Sequence, residues 1–347
     1  MSSRSVVPTV FPPATAAPRE RGWGRLVLAV CLSLAVPLVA QFRVSIPIEQ
    51  TILLIGPAMA ACALAGWSAG GRFFTFAAWG LLAGWMLILE VPGAGPFDPL
   101  TRGWALILAA SFALLCIVNR ESAFLPRALA ALALAGFAAA CVALATGARI
   151  DDLGRVIAGE FARRLDLVTQ TFEERARSAE WQEFAERFPG GASVVAQGER
   201  QLPILAKYAI SFFPALLALE SLAVLALAWS LYHRASRTRI GPPLRRLAEF
   251  RFNDQLVWGL VVGITLLVVP NLRELRYLGM NLVLFFAALY ALRGLGVLAW
   301  FLAPGKPAPV LLVIASVVAA PFVGVFALGL GLVDTWLDWR GRVRPAT

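Results

Sequence analysis

The sequence predicts an all-α protein, a polytopic transmembrane helical bundle of about nine spans, eight being the alternative, with one long extramembrane amphipathic helix. Three observations predict it. Of the 347 residues, 59% are hydrophobic and 15% charged, with a mean hydropathy of +0.74, whereas soluble domains run about 45–50% apolar and about 25% charged. The apolar excess is gathered into stretches of 17 to 27 residues, and about 20 apolar residues match the hydrocarbon thickness of a bilayer. One long hydrophilic segment, 147–205, interrupts them with a helical rather than random pattern.

In chain order, residues 1–22, with Pro8, Pro12, Pro13 and Pro18, read as a disordered cytoplasmic N-terminus. A five-span region follows over 23–146, with spans at 25–41, 50–69, 73–91, 103–119 and 124–146. No small-residue cleavage site follows the first of these, so it reads as a retained span and not a signal peptide. A four-span region covers 206–332, with spans at 206–232, 255–271, 279–302 and 308–332, a basic cytoplasmic loop at 234–254 and a tail at 333–347.

Between the two regions, Leu153, Ile157, Phe161, Leu165, Val168, Phe172, Ala176 and Ala179 recur every three or four residues. That period predicts an amphipathic helix over about 151–188, ended by Pro189-Gly190-Gly191, lying on the outer interface or the bundle or serving as a lid or partner-docking element. Orientation follows from Lys and Arg near the spans. With the N-terminus inside, inner segments hold fourteen of them and outer short segments seven, Arg340, Arg342 and Arg344 of the tail being counted outside. Arginine far outnumbers lysine, the only lysines being Lys207 and Lys306. With the abundance of alanine, this points to a GC-rich bacterial genome and a multi-pass protein of the bacterial cytoplasmic (inner) membrane.

Net charge is +10. Because the basic residues lie beside spans, they suit anionic lipid head groups and no nucleic acid. Cys31, Cys62, Cys116 and Cys141 all sit in apolar stretches without metal-ligand spacing and read as small core residues, so neither a metal nor a cofactor is expected. GxSxG, HExxH and Walker A signatures are absent, and the one histidine, His233, stands at a span end. No enzyme is expected from such a set.

Glu220 and Arg293 are the strongest intramembrane candidates, since a charge at mid-membrane costs roughly 2.5–3.5 kcal/mol on the insertion scale. Each falls fourteen residues into its predicted span, so the two are expected to pair at one depth, as a structural clamp or as part of a substrate site. Asn281 and Tyr290 join them as polar residues that bind substrate or hold the bundle, with Glu90 and Asn271 as weaker candidates. Gly66/Gly70, Gly80/Gly84 and Gly259/Gly263 give close helix packing, and Pro57, Pro214 and Pro321 give kinks. In the basic loop, Arg245, Arg246, Phe250, Arg251 and Phe252 predict a short amphipathic helix that docks on lipid or on a cytoplasmic or membrane protein partner.

The stretch 241–296 carries GPPLRRLAEFRFNDQLVWGLVVG and LGMNLVLFFAALYALRGLG. With Phe250, Arg251, Trp258, Gly279, Asn281, Tyr290, Gly294 and Gly296, it resembles the YybS-like family of uncharacterised predicted membrane proteins. That resemblance implies a fold similar to the substrate-binding subunits of energy-coupling-factor vitamin transporters, which dock through small-residue faces such as Ala61/Ala65 here. Two functions are therefore expected as alternatives: binding or moving a small molecule near Glu220 and Arg293, or scaffolding through the basic loop or the amphipathic helix.

Overall fold

The computed structural model describes residues 23–35, 47–89, 95–301, 320–338 and 340. The segment 1–22, Glu90, residues 308–319 of the last predicted span and residues 341–347 lie outside them. The described helices are α1 (Trp23–Ala35), α2 (Ile48–Ser68), α3 (Phe73–Ile88), α4 (Phe97–Val118), α5 (Phe124–Thr146), α6 (Ile150–Ala176), α7 (Ala179–Arg187), α8 (Pro189–Ser211), α9 (Phe213–Ala235), α10 (Val257–Val268), α11 (Arg276–Phe301) and α12 (Ala320–Leu337). Five of them, α2, α4, α5, α9 and α11, are long and apolar enough to cross a membrane, and α3, α10 and α12 are shorter apolar helices.

α2 lies at the centre, packed on α3, α4 and α9, and α4 packs in turn on α5. Alanine at 128, 131 and 135 brings α5 close to α4, and Phe112, Phe124 and Trp229 fill the space edge to face. Cys62 and Cys116 belong to this core, but Cys31 and Cys141 are exposed on outer helix faces, a correction to their reading as core residues. α5 stops at Gly147, whose φ of 68° lets Ala148 N–H reach back to Ala143 C=O.

The segment between the two membrane regions departs from one long helix. Ser178 accepts a hydrogen bond from Trp181 N–H and caps a new helix, which ends α6 at Ala176. Pro189 then opens α8 instead of closing a helix, since a first-turn position needs no N–H donor. α6 and α8 form a hairpin in which Phe161 and Val168 pack on Leu202, Ala206 and Ala209. α8 runs through the predicted span start at 206 and breaks only at Phe212, before Pro214.

Beyond α9 a strap, residues 236–256, crosses one end of the bundle. The predicted amphipathic helix is not there: the strap is irregular, with bends at 237–238 and 240–241 and single 3-10 turns at Leu247–Glu249 and Asp254–Leu256. Carbonyl oxygens fix it in place. Arg127 donates to Ile240 O (3.1 Å), Trp229 Nε1 to Pro242 O (3.2 Å), and the His233 ring contacts Trp229 O and Gly241 O.

α11 and α12 end on this same side, because Arg340 donates to Ala248 O and Phe250 O. The end of α12 and Arg340 thus lie with the basic loop, not opposite it, and Arg340 moves from the outer to the loop side of the charge count. The two helices touch through glycines: a Cβ on Gly294 would sit 1.8 Å from Ala327 O, and one on Gly331 1.9 Å from Tyr290 O. Of the predicted glycine pairs, Gly259/Gly263 packs on Phe286 and Val283 of α11 as expected. Gly66 meets Tyr232 while Gly70 forms a turn at φ 89°, and Gly80/Gly84 face no other helix among the described residues. Gly294→Ala is therefore expected to destabilise the protein by about 1–3 kcal/mol, because backbone and not side chain blocks the new methyl. Gly80→Ala serves as the neutral control, and equal thermal midpoints for the two variants would refute this packing.

Candidate functional site

Two polar clusters occupy different levels of the bundle. Glu220, on α9 and buried, accepts from Gln50 Nε2 (2.7 Å) and Thr51 Oγ1 (2.8 Å) in the first turn of α2. Arg293, on α11 and buried, instead donates to Asp334 Oδ2 (2.9 Å) and Asp254 Oδ1 (2.6 Å) beside the strap. The expected Glu220–Arg293 pair does not form. Its depth count began at 206, whereas α9 begins at Phe213. Measured from the contact of Asn281 with Ala215, Glu220 lies 5 residues on and Arg293 12 residues on. At 1.5 Å per residue that sets Arg293 roughly 10 Å further toward the strap.

Asn281 has a structural task. Pro214 brings no N–H to the break between α8 and α9, and the Asn281 amide enters the opening. Its Oδ1 accepts from Ala215 N (3.0 Å) and its Nδ2 donates to Ser211 O (3.0 Å), replacing the bond those two groups would make in a continuous helix. Tyr290 is buried and meets Phe252 edge to face at 5.1 Å, and Asn271 is exposed in a 3-10 turn. Of the predicted docking residues, Phe252 packs inward against Tyr290, Phe250 against Phe252, and Arg251 pairs with Asp338 at 2.6 Å. Arg245 and Arg246 remain exposed.

The Glu220 cluster opens into a cavity. Gln50 Oε1 lies 3.4 Å from Arg164 Nη2, and Arg164 Nε donates to Glu160 Oε1 at 2.8 Å. A continuous polar chain therefore runs from buried Glu220 through Gln50 and Arg164 to Glu160. Arg164 lies over the rings of Phe97 and Phe161, at 5.0 and 5.2 Å, which carries its guanidinium through an apolar layer. Gln50, Glu160, Arg163 and Arg164 line a cavity of about 680 Å³ between α2, the end of α3, the start of α4, and α6. Ile52, Leu53, Trp85, Met86, Leu89 and Leu167 give it apolar walls.

Sequence reasoning found Glu220 but missed Gln50, Thr51, Glu160 and Arg164. One signal was present: Glu160 and Arg164 stand four apart beside Ile157 and Phe161, at the edge of the apolar face of α6. Burial would raise the Glu160 carboxyl, but hydrogen bonds from Arg163 and Arg164 outweigh it and hold it below its ordinary value of 4.5. A depressed folded value means that the stabilisation from Glu160 is fully present above about pH 4.5 and is lost as pH falls through the folded value. Protection of α6 amides in hydrogen exchange is expected to fall on acidification below that pH, and to fall less in Glu160→Gln. An unchanged acid response in that variant would contradict the assignment.

Among the described residues no three of His, Cys, Asp and Glu gather as a metal site would require. Long apolar helices around buried, hydrogen-bonded polar clusters define the class: a polytopic α-helical membrane protein. Residues 129–335 match the family described as predicted membrane protein (DUF2232), more than half of the chain, and the protein belongs to that family. No curated protein and no solved structure matches it. The matched region holds Glu160, Arg164, Glu220, Asn281, Arg293 and Asp334, whereas Gln50, Thr51 and the cavity walls on α2, α3 and α4 precede it.

Proposed function

We propose that the protein binds a small amphipathic molecule in the cavity between α2, α3, α4 and α6. The cavity itself carries this reading: about 680 Å³, with apolar walls and a charged side formed by Asp98, Glu160, Arg163 and Arg164. Ligand pockets typically hold about 300–1,000 Å³ and combine apolar walls with a few placed polar groups. A polar group of the ligand reaching Gln50 is one hydrogen bond from Glu220. The resemblance of 241–296 to the YybS-like family, and through it to transporter binding subunits, agrees with binding without catalysis. The scaffold alternative has less support, because α8 covers the apolar face of α6 that a partner would use.

The strap side is the cytoplasmic one in this reading, and the membrane is the bacterial cytoplasmic membrane. Arg72, Arg120, Arg127, the strap arginines and Arg340 all collect there, as basic residues do on cytoplasmic loops.

Native mass spectrometry of protein extracted in mild detergent tests the binding reading, comparing wild type with Ile52→Trp and Gln50→Ala. A co-purifying small molecule present in wild type and lost from both variants is expected. Retention in Ile52→Trp, which fills the cavity, or a wild type that carries no small molecule, would overturn it.

A further inference from the structure

The strap end of the bundle carries a second surface, opposite the cavity and independent of it. Three separate segments meet there. The turn at 69–72 touches the strap, since a Cβ on Gly71 would lie 3.1 Å from Thr238 Oγ1. The turn at 119–122 touches it as well, because the Arg127 guanidinium binds Asn119 O (2.6 Å), Ser122 O (2.9 Å) and Ile240 O (3.1 Å) together. Arg120 closes the group by donating to Ser68 O at 2.9 Å, at the end of α2.

These contacts bring Arg72, Arg120, Arg237 and Arg239 to one face, all exposed. Among the described residues none of the four forms an ion pair with a carboxylate, and Glu121 is the acidic residue of the same turns. In contrast, the arginines at the cavity are bound to Glu160 and to Asp98. Beside Arg72 lies an aromatic group: Trp67 stacks on Phe76 at 5.3 Å and 4°, with Phe73 edge-on to both. Trp67, Phe73 and Phe74 are exposed, on the strap-side ends of two apolar helices.

We infer that this face binds the phosphate head group of an anionic phospholipid in the leaflet on the strap side. Aromatic rings at the end of a membrane helix settle at head-group level. The guanidinium groups then stand where phosphate lies, and a planar fork of N–H donors fits phosphate oxygens two at a time. The lipid source, and not a soluble anion, follows from the aromatic group, which offers acyl chains a surface that free phosphate cannot use. The strap supplies order. Its carbonyls are fixed by Arg127, Trp229 and His233, so Arg237 and Arg239 project from a fixed backbone and need little ordering on binding.

The test uses the full chain, delipidated in detergent and titrated with phosphatidylglycerol or phosphatidylcholine, with bound lipid read by native mass spectrometry. Wild type is expected to retain phosphatidylglycerol in preference to phosphatidylcholine, less so at high salt. R72Q/R237Q/R239Q is expected to hold it on the order of a hundredfold more weakly, from the usual contribution of a basic residue at an anionic surface. R155Q, which removes one exposed charge on α6, should bind as wild type does. Equal retention of the two lipids by wild type, or undiminished phosphatidylglycerol binding in the triple variant, overturns the inference. Displacement of the lipid by millimolar inorganic phosphate overturns the lipid assignment in favour of a free-anion site. If the triple variant fails to fold, the wild-type comparison of the two lipids at low and high salt still decides.

Discussion

Replacing Asp334 by alanine is expected to cost about 3–5 kcal/mol of stability, the range for removing one partner of a buried ion pair. Asp334 Oδ2 accepts from Arg293 Nε at 2.9 Å and from Arg340 Nη2 at 2.7 Å, and all three side chains are at most 4% exposed. One carboxylate is therefore shared by two guanidinium groups that have little access to water, and Asp254 supplies the second negative charge through Arg293. Asp254 keeps its bond to Arg293 in the variant, so the larger consequence falls on Arg340, which ties the end of α12 to the strap through Ala248 O and Phe250 O. Thermal unfolding in detergent measures the loss. Arg251→Gln is the control, since its pair with Asp338 is half exposed and such pairs contribute about 0–1 kcal/mol. A midpoint for Asp334→Ala equal to that of the control would refute the role of this cluster.

Asn281→Leu is expected to have a comparable effect by another route. The substitution strips the partners from Ala215 N–H and Ser211 C=O, and each unsatisfied buried backbone group costs about 1–3 kcal/mol. The helix can recover part of that loss by straightening at Phe212 so that the two groups bond directly. Straightening moves α8, and α6 with it, because Phe161 rests on Phe213 at 6.0 Å and Val168 packs among Leu202, Ala206 and Ala209. Two readouts are therefore expected together: a lower thermal midpoint and weaker hydrogen-exchange protection along α6. Asn281→Asp should fall between wild type and Asn281→Leu, since its carboxylate accepts from Ala215 N–H but gives Ser211 O nothing. Unchanged exchange along α6 in Asn281→Leu would show that the break at Phe212 does not depend on the amide.

These two residues illustrate how unevenly the site was legible. Asn281 stood out in the sequence as a polar residue inside an apolar stretch, but its purpose depends on a break 66 residues away in sequence. Asp334 did not stand out, because it falls two residues beyond the predicted end of the last span and read as part of the tail. Glu220 stood out through the cost of burying a carboxylate among apolar neighbours. Its donors, Gln50 and Thr51, were invisible as such, since polar residues at the start of a predicted span ordinarily face water or head groups. For the cavity, the amphipathic period of α6 was plain, but that α6 lays Glu160 and Arg164 against α2 is a fact of packing.

By itself, the sequence determined that the chain is an all-α membrane protein and where most of its helices lie. The predicted span 124–146 matches α5 residue for residue, and 50–69 differs from α2 by one or two residues at each end. Such elements follow from local composition because the bilayer acts on each stretch separately: a run of apolar residues must span it, and its backbone must satisfy itself as a helix. Only the tertiary structure decided which charges meet, which side the end of α12 occupies and where a cavity opens. Those depend on the rotation and register of one helix against another. They are set by contacts between distant segments, such as Gly294 on Gly331, Asn281 in the break before α9, and Arg340 on the strap. A shift of a few residues in any of these registers turns a buried pair into two separate clusters, as it did for Glu220 and Arg293.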